Sequence, residues 1–223
     1  MKKKPGKNDE KMIKATTIDA KKAENHSKFQ KNDIRSLFCY GNANIKNMIW
    51  SLKTNSQFFK SSEGVGLIGA LIKEISSSTI IICAPSSSFW QNRRNFDPMH
   101  ILIKSLVKKL RQNNNISYIP HAIIPRLNKN LQKELNKRER QNQTIGAYSL
   151  SNYFKYHLRQ RLLEKTILAF EILIIDDVKT TGSTLIECRD TVERYVNSLS
   201  SENNKADTTK LLSIRCLTIA YEA

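Results

Sequence analysis

Short apolar runs and longer amphipathic stretches alternate along the chain from residue 34 onward. A short continuous aliphatic run is typical of a strand covered on both faces, whereas apolar positions three and four residues apart are typical of a helix packed on one side. The predicted strands are Thr79 to Ala84, Tyr118 to Ile124, Gly146 to Leu150, Ile172 to Ile175 and Leu211 to Ala220. The predicted helices are Asn44 to Leu52, Gly64 to Ile75, Met99 to Leu110, Leu150 to Lys165 and Leu185 to Tyr195. Strands that alternate with helices indicate an α/β protein with a mostly parallel, doubly wound sheet.

The polar segments of the chain suggest how it is organised. Residues 1–33 hold ten lysines against five acids and few large apolar side chains, which predicts a disordered basic tail. The segment Asn197 to Lys210 is also polar, and we predict a loop there. Residues 34–223 can bury one substantial core, so we expect a single folded domain over that range.

Cysteine spacing and hydropathy indicate the compartment. Cys39, Cys83, Cys188 and Cys216 are widely separated and form no C-x-x-C pair, which favours reduced thiols over a zinc site or a disulfide framework. No apolar run approaches the length of a bilayer span, and no hydrophobic stretch follows the first lysines. We therefore expect a cytoplasmic protein without a membrane span.

The formal net charge of +17 is unevenly distributed. Between residues 93 and 165 there are sixteen Lys and Arg against four acids, a difference of +12. Such a surface would attract a polyanion, either a nucleic acid or a ligand that carries phosphates. The alternative is an ordinary solvated surface, since the sequence shows no helix-turn-helix, zinc finger or aromatic single-strand motif beside the charge. Both interpretations stay open at this point.

The most specific chemical signal lies between Ile172 and Thr184. An aliphatic run leads into Asp176 and Asp177, and a hydroxyl-rich turn built around Gly182 follows. A ligand is expected at the carboxyl end of such a strand. Hydroxyls, backbone amides and a helix amino terminus bind phosphate, whereas paired carboxylates suit ribose hydroxyls or a hydrated magnesium ion. The predicted ligand therefore contains both a sugar and a phosphate.

This segment resembles the phosphoribosyl pyrophosphate (PRPP) signature of type I phosphoribosyltransferases, which is an apolar strand, two acids, two residues and T-T-G-x-T. The resemblance implies the type I fold, a parallel sheet flanked by helices with a small amino-terminal helical hood. It also implies that the loop binds the 5'-phosphate, and that Asp176 and Asp177 contact the ribose, act in catalysis and hold Mg²⁺ directly or through water. The implied PRPP-binding residues are Asp176, Asp177, Lys179, Thr180, Thr181, Gly182, Ser183 and Thr184. Among these, Lys179 departs from the family, most members of which have an apolar residue there.

Blocks elsewhere are similar to ComF-type proteins, which are competence-associated and partly described as amidophosphoribosyltransferase-like. The blocks are Tyr40-Gly41, Ile45-Lys46, Met48-Ile49, Leu52-Lys53, Arg94 to Asp97, Gln132, Leu135, Arg140 and Gly146 to Tyr148. In order and spacing they cover about Phe38 to Ala220. The cysteine-rich zinc module that often precedes this domain in the family is missing from the sequence, and Asn95, Asp97 and Gln143 depart from the family pattern.

The resemblance also implies a pyrophosphate loop after the first core strand. Its expected residues are Ser86, Arg93 and Arg94, together with Arg140 farther along the chain. Arginine suits pyrophosphate because its planar guanidinium can donate to two phosphate oxygens at once.

Three classes of function follow from these observations. The first is a phosphoribosyltransferase that moves phosphoribosyl from PRPP to an unidentified nitrogen acceptor, of which nucleobase salvage is one version. The second is a PRPP-sensing or nucleic-acid-binding accessory protein, with single-stranded DNA or a competence or DNA-processing protein as its partner and DNA uptake as its setting. The third is a retained fold that serves as a partner surface, for example in a homodimer. An intact Asp-Asp pair and T-T-G-S-T loop argue against the third class.

Overall fold

The computed structural model describes residues 34–85, 96–110, 115–126, 146–164, 169–201 and 211–222. The strands are β1 (Ile34–Cys39), β2 (Ser78–Cys83), β3 (Asn115–Tyr118), β4 (Ile123–Pro125), β5 (Tyr148–Leu150), β6 (Phe170–Lys179) and β7 (Leu211–Tyr221). The helices are α1 (Ala43–Thr54), α2 (Ser62–Ile72), α3 (Pro98–Leu110), α4 (Asn152–Leu163) and α5 (Ser183–Ser201), with a short 3-10 helix at Phe58–Lys60.

Five of the strands form a parallel sheet in the order β1-β7-β6-β2-β3. Strand β6 lies at its centre, paired with β2 on one edge and with β7 on the other. Strands β4 and β5 form a separate antiparallel pair. The predicted α/β class, with a mostly parallel sheet and flanking helices, is confirmed.

Each face of the sheet is covered by its own hydrophobic core. On one face, helices α4 and α5 and the β4–β5 pair bury Phe154, Leu158 and Val192 against Ile172 and Ile174 of β6. On the opposite face, α1, α2 and α3 bury a second set against Leu173 and Ile175. The alternation of β6 side chains between two cores explains why its middle is continuously aliphatic.

The connections of the sheet define where a ligand would bind. The chain runs from β2 to the edge strand β3 through α3, and from β6 toward the opposite edge at β7 through α5. Strands β2 and β6 are neighbours whose connections therefore leave in opposite directions. A crevice forms at the carboxyl ends of such a strand pair, and ligands of open α/β sheets bind there.

Helix α1 lies along the carboxyl ends of the strands. It follows β1, whose last residue Cys39 is level with Tyr221 and therefore with Lys179 of β6. Near its other end, Lys53 contacts Asp177, which is two residues from Lys179. A helix of this length spans about 18 Å, so α1 leads from the end of β1 to the end of β6 while its apolar residues cover one face of the sheet.

The structure corrects several predicted boundaries. Strand β6 does not end at Ile175, because β7 continues beside it and pairs through Lys179. The predicted strand Tyr118 to Ile124 is wrong, since a turn at Pro120 and His121 separates β3 from β4 and sends β4 to pair with β5.

Helix α5 extends beyond its predicted end at Tyr195. It continues to Ser201, so the predicted loop is wrong for residues 197–201. Its apolar face continues through Val192, Val196 and Leu199, which are buried at helical spacing. Strand β1, a six-residue strand, has no counterpart among the predicted elements.

Some predictions fall on residues outside the described ranges. These include the tail at 1–33, the loop residues 202–210 and, among the ComF-like blocks, Arg94, Asn95, Gln132, Leu135, Arg140 and Gln143. Within the described ranges, no helix combines the length and apolar character that a membrane crossing requires.

A buried charge network joins the strands at their amino ends. Glu171 of β6 accepts from Arg215 Nε at 3.0 Å and Nη2 at 2.7 Å, and from Thr79 Oγ1 at 3.1 Å. Burial alone would raise the pKa of Glu171, but the hydrogen bonds and charge of Arg215, with help from Ser76 and Thr79, lower it below its ordinary value. The network fixes β2, β6 and β7 to one another.

Replacing Arg215 by Met should destabilise the protein by roughly 3 kcal/mol, because Glu171 stays buried after its partner is lost. The measurement is urea unfolding followed by circular dichroism. Arg35→Met is the matched control, since Arg35 pairs with Glu74 at 2.8 Å but its side chain is 52% exposed, and Glu74 keeps the nearby charge of Arg215 when Arg35 is replaced. The control should change stability by about 0 to 1 kcal/mol.

The pair of Glu171 and Arg215 should also make the free energy of unfolding depend on pH. A glutamate whose folded pKa is lowered contributes stability above its unfolded pKa, about 4.3, and loses that contribution as the pH falls through the folded pKa. Wild-type unfolding free energy should therefore fall more steeply than that of Arg215→Met between about pH 6 and pH 3. Equal slopes for the two proteins would contradict a stabilising role for the pair.

Candidate active site

The paired aspartates lie at the carboxyl end of the central strand. Asp176 is level with Thr218 of β7, while on the other side β2 ends at Cys83, which is level with Ile175. The two carboxylates are therefore beside the crevice between β2 and β6. Each accepts a hydrogen bond from the amide of the residue that follows it, at 2.8 Å from Asp177 N to Asp176 Oδ1 and at 2.6 Å from Val178 N to Asp177 Oδ1.

The two carboxylates have different surroundings. Asp177 Oδ2 is 2.8 Å from Lys53 Nζ of α1. Burial, together with the negative charge of Asp177, raises the pKa of Asp176 to about 7. Asp177 thus has a lysine partner, whereas Asp176 retains a proton much more readily than an ordinary aspartate.

The turn after β6 adopts the geometry that a glycine requires. Gly182 has φ +76, and a Cβ at this position would lie 2.8 Å from Ile34 Cδ1 and 3.0 Å from Lys179 Cε. Positive φ strains any residue with a Cβ, and the ends of the Ile34 and Lys179 side chains would also have to shift. The aliphatic stem of Lys179 packs directly beside this glycine, and burial lowers the pKa of its ammonium group.

The hydroxyls of the loop are ordered around the start of α5. Thr181 Oγ1 accepts from the Ser183 amide at 3.3 Å and donates to Ser183 Oγ at 3.0 Å. Ile186 N donates to Gly182 O at 3.0 Å, which fixes the first turn of the helix. The loop therefore presents hydroxyls at a helix amino terminus, an arrangement that suits an anion.

Two contacts join the loop and α5 to β5 and to the residues directly before it. The hydroxyl of Tyr148 is hydrogen-bonded to the Thr184 side chain, and burial raises the pKa of Tyr148 to about 12. Glu187 of α5 accepts from the Gly146 amide at 2.8 Å and from Arg194 at 2.7 Å. These contacts set the position of Thr184, which the sequence alone assigned to the site.

A polar cluster borders the crevice on the side of β3. His100 Nδ1 is 2.9 Å from Tyr118 Oη, whose other neighbour is Cys83 Sγ at 3.8 Å. Burial is the main cause that raises the pKa of Cys83 to about 12, so this thiol stays protonated. His100 has a lowered pKa because burial and the charge of Lys104 disfavour its cationic form. The sequence analysis had not assigned any of these residues to the site.

The structure brings together one part of the predicted site. The carboxyl end of the central strand β6 holds Asp176, Asp177 and Lys179, and the loop 180–184 follows directly. The expected pyrophosphate residues Ser86, Arg93, Arg94 and Arg140 are outside the described residues. Lys53 was missed as a site residue because it is about 120 residues from Asp177 in the chain, and only the path of α1 brings the two together.

The aspartate pair also suits the proposed magnesium ion. Across the described ranges, His, Cys, Asp and Glu side chains form no group of three or more suited to a metal ion. Magnesium, however, often keeps several waters and uses one or two carboxylates together with phosphate oxygens. Asp176 and Asp177 can supply these one or two carboxylates, and a bound phosphorylated molecule would supply the phosphate oxygens.

Comparison with known proteins gives the following matches. No protein-family profile and no curated protein sequence matches the chain. Similar solved structures include tetragonal and orthorhombic crystal forms of a hypoxanthine phosphoribosyltransferase from Staphylococcus aureus, at 12% and 13% identity and TM-scores of 0.34 and 0.35. Each match covers 79% of this chain and 64% of the other chain. The chain thus matches less than two thirds of the length of either structure.

Replacing Gly182 by Ala should destabilise the protein by about 1 to 3 kcal/mol, because alanine is strained at positive φ and its Cβ would meet Ile34. Thermal and urea unfolding would measure this. Gly66→Ala in α2 is the control, since Gly66 has open space around it and should become more stable by about 0.5 to 1 kcal/mol. A Gly182→Ala protein as stable as wild type would refute the strained geometry of the loop.

Proposed function

We propose that the protein binds PRPP at the carboxyl end of β6 and is a phosphoribosyltransferase-like protein. One observation carries the proposal: an Asp-Asp pair and a hydroxyl-rich loop with a left-handed glycine lie together at the crevice between β2 and β6. The carboxylates suit the ribose hydroxyls, and the loop at the start of α5 suits the 5'-phosphate.

The proposed reaction is transfer of phosphoribosyl to a nitrogen acceptor. The bond between the anomeric carbon and the pyrophosphate oxygen breaks and pyrophosphate leaves with the bonding electron pair. A carbon–nitrogen bond forms, and the acceptor nitrogen releases its proton to solvent. Positive charge develops on the ribose, and Asp176 and Asp177 are placed to stabilise it. Bound Mg²⁺ would offset the negative charge of the departing pyrophosphate.

Within this class we favour a ComF-type protein, linked to DNA uptake in natural transformation. The support is the order of sequence blocks from Phe38 to Ala220. Gly146 agrees with one of these blocks because its φ of +72 suits glycine and its amide binds Glu187. Nucleobase salvage is the alternative acceptor chemistry, and a homodimer or a competence protein is the proposed partner.

Titrating PRPP with Mg²⁺ into the wild-type protein in a calorimeter should give saturable binding. The Asp176→Asn, Asp177→Asn double variant should lose it, since amides are weaker acceptors for ribose hydroxyls and poor magnesium ligands. Glu193→Gln is the control, because it also removes negative charge but lies on the exposed side of α5. Absence of wild-type binding at millimolar PRPP would refute the proposed function.

Helix α4 favours a second candidate function, the binding of single-stranded nucleic acid. Tyr153 and Tyr156 are 57% and 60% exposed, and both rings pack against His157, with centroids 4.3 Å and 5.6 Å from it. The helix carries three Lys and Arg and no Asp or Glu. Exposed rings beside positive charge are the features on which unpaired bases stack. The sequence analysis missed this surface because exposure decides it.

The Tyr153→Ala, Tyr156→Ala variant should bind a fluorescent oligothymidine more weakly than wild type. The binding free energy should fall by about 1 to 3 kcal/mol for each base that loses its stacking partner. Fluorescence anisotropy at several salt concentrations is the measurement. Trp50→Ala is the control, because Trp50 is 68% exposed but belongs to α1 on the other face of the sheet. If both variants lose the same affinity, or if the wild-type protein binds no oligothymidine, the hypothesis that α4 binds single-stranded nucleic acid is wrong.

A further inference from the structure

The contact between Lys53 and Asp177 joins an amino-terminal helix to the candidate active site. Lys53 lies in the last turn of α1, and its Nζ is 2.8 Å from Asp177 Oδ2. The side chains of Lys53 and Asp177 are 28% and 24% exposed, so the pair is half-buried and open to solvent on one side. A ligand at the crevice would meet both members of the pair.

Helix α1 does not need this contact in order to dock on the sheet. Its apolar face is already buried, with Leu52 fully covered and Ile45, Met48 and Ile49 nearly so. Partly exposed ion pairs add little to stability. The reach of Lys53 across the carboxyl ends of the strands therefore calls for a reason other than anchoring the helix.

The charge of the site supplies that reason. Asp176 and Asp177 place two carboxyl groups beside the loop at residues 180–184, and each of them repels a phosphorylated ligand when it is ionised. Lys53 offsets the charge of Asp177 directly. It also holds the Asp177 carboxylate in one orientation, together with the hydrogen bond from Val178 N. The other lysine at this edge, Lys179, has its stem packed beside Gly182.

We propose that Lys53 is a positioning residue of the ligand site, which orients Asp177 for the ribose hydroxyls and offsets its charge so that phosphates can bind nearby. This inference rests on the proposed binding of PRPP at β6. It makes helix α1 a part of the site and not only a cover for one face of the sheet. Lys53 acts through Asp177, so the effects of changing the two residues should not add.

The test compares Lys53→Met, Lys53→Arg and a control in the same helix. Lys46→Met is the control, because Lys46 is an exposed lysine of α1 that lies over the Tyr40 ring, 5.7 Å from its centroid. Each protein is titrated with Mg²⁺ and PRPP at low and high salt, and its thermal midpoint is measured. Lys53→Met should weaken PRPP binding roughly 10- to 100-fold, as loss of a residue that orients a ligand group does elsewhere. Its thermal midpoint should stay close to that of wild type.

The conservative variant and the salt series separate positioning from folding. Lys53→Arg keeps the positive charge and should therefore bind PRPP almost as well as wild type. If Lys53 had only a structural role, retaining the charge would not by itself restore the affinity. The loss in Lys53→Met should shrink as salt screens the carboxylates. In the Asp177→Asn background, Lys53→Met should have little further effect on affinity.

Three outcomes would overturn the inference, and they differ from one another. If wild-type protein binds PRPP and Lys53→Met binds it equally well, the positioning role is wrong while the proposed function stands. If wild-type protein binds no PRPP, the proposed function fails and the role of Lys53 fails with it. Equal weakening by Lys46→Met and Lys53→Met would also reject the inference, because a general loss of positive charge would then explain the result.

Discussion

Strand β6 is paired along both edges and covered on both faces, and this constraint decides where its charges can lie. From Ile172 to Ile175 every side chain enters one of two cores, so a charge there would have no solvent and no partner. The acidic residues are therefore confined to the two ends of the strand. Glu171 stands at the amino end, and Asp176 and Asp177 stand at the carboxyl end.

The carboxylates at the two ends of β6 are stabilised in different ways after they lose contact with water. At the amino end, Arg215 and Thr79 donate to the two oxygens of Glu171, whose side chain is only 10% exposed. At the carboxyl end, Asp177 has one lysine partner and Asp176 has a raised pKa. The first arrangement satisfies its charge within the protein and stabilises the sheet. The second arrangement leaves carboxyl groups that a ligand can contact, and this is the end of β6 at which we propose that PRPP binds.

The sequence predicted the class of the fold because its signal is local. An aliphatic run between helical periodicities identifies a buried parallel strand, and the T-T-G-S-T segment predicts a glycine turn before a helix without any knowledge of its surroundings. Predictions failed where a distant partner decides the outcome. The end of β6 at Lys179 depends on β7, and the break after Tyr118 depends on β4 leaving the main sheet to pair with β5.

By itself, the sequence determined the parallel α/β class, the position of the aspartate pair and the glycine that the loop requires, because periodicity and backbone conformation are properties of neighbouring residues. Only the tertiary structure decided that Lys53 meets Asp177, that Tyr148 meets Thr184 and that two tyrosines of α4 stay exposed. These features depend on how helices cross the sheet. Such crossings are set by packing between residues far apart in the chain, which no local pattern encodes.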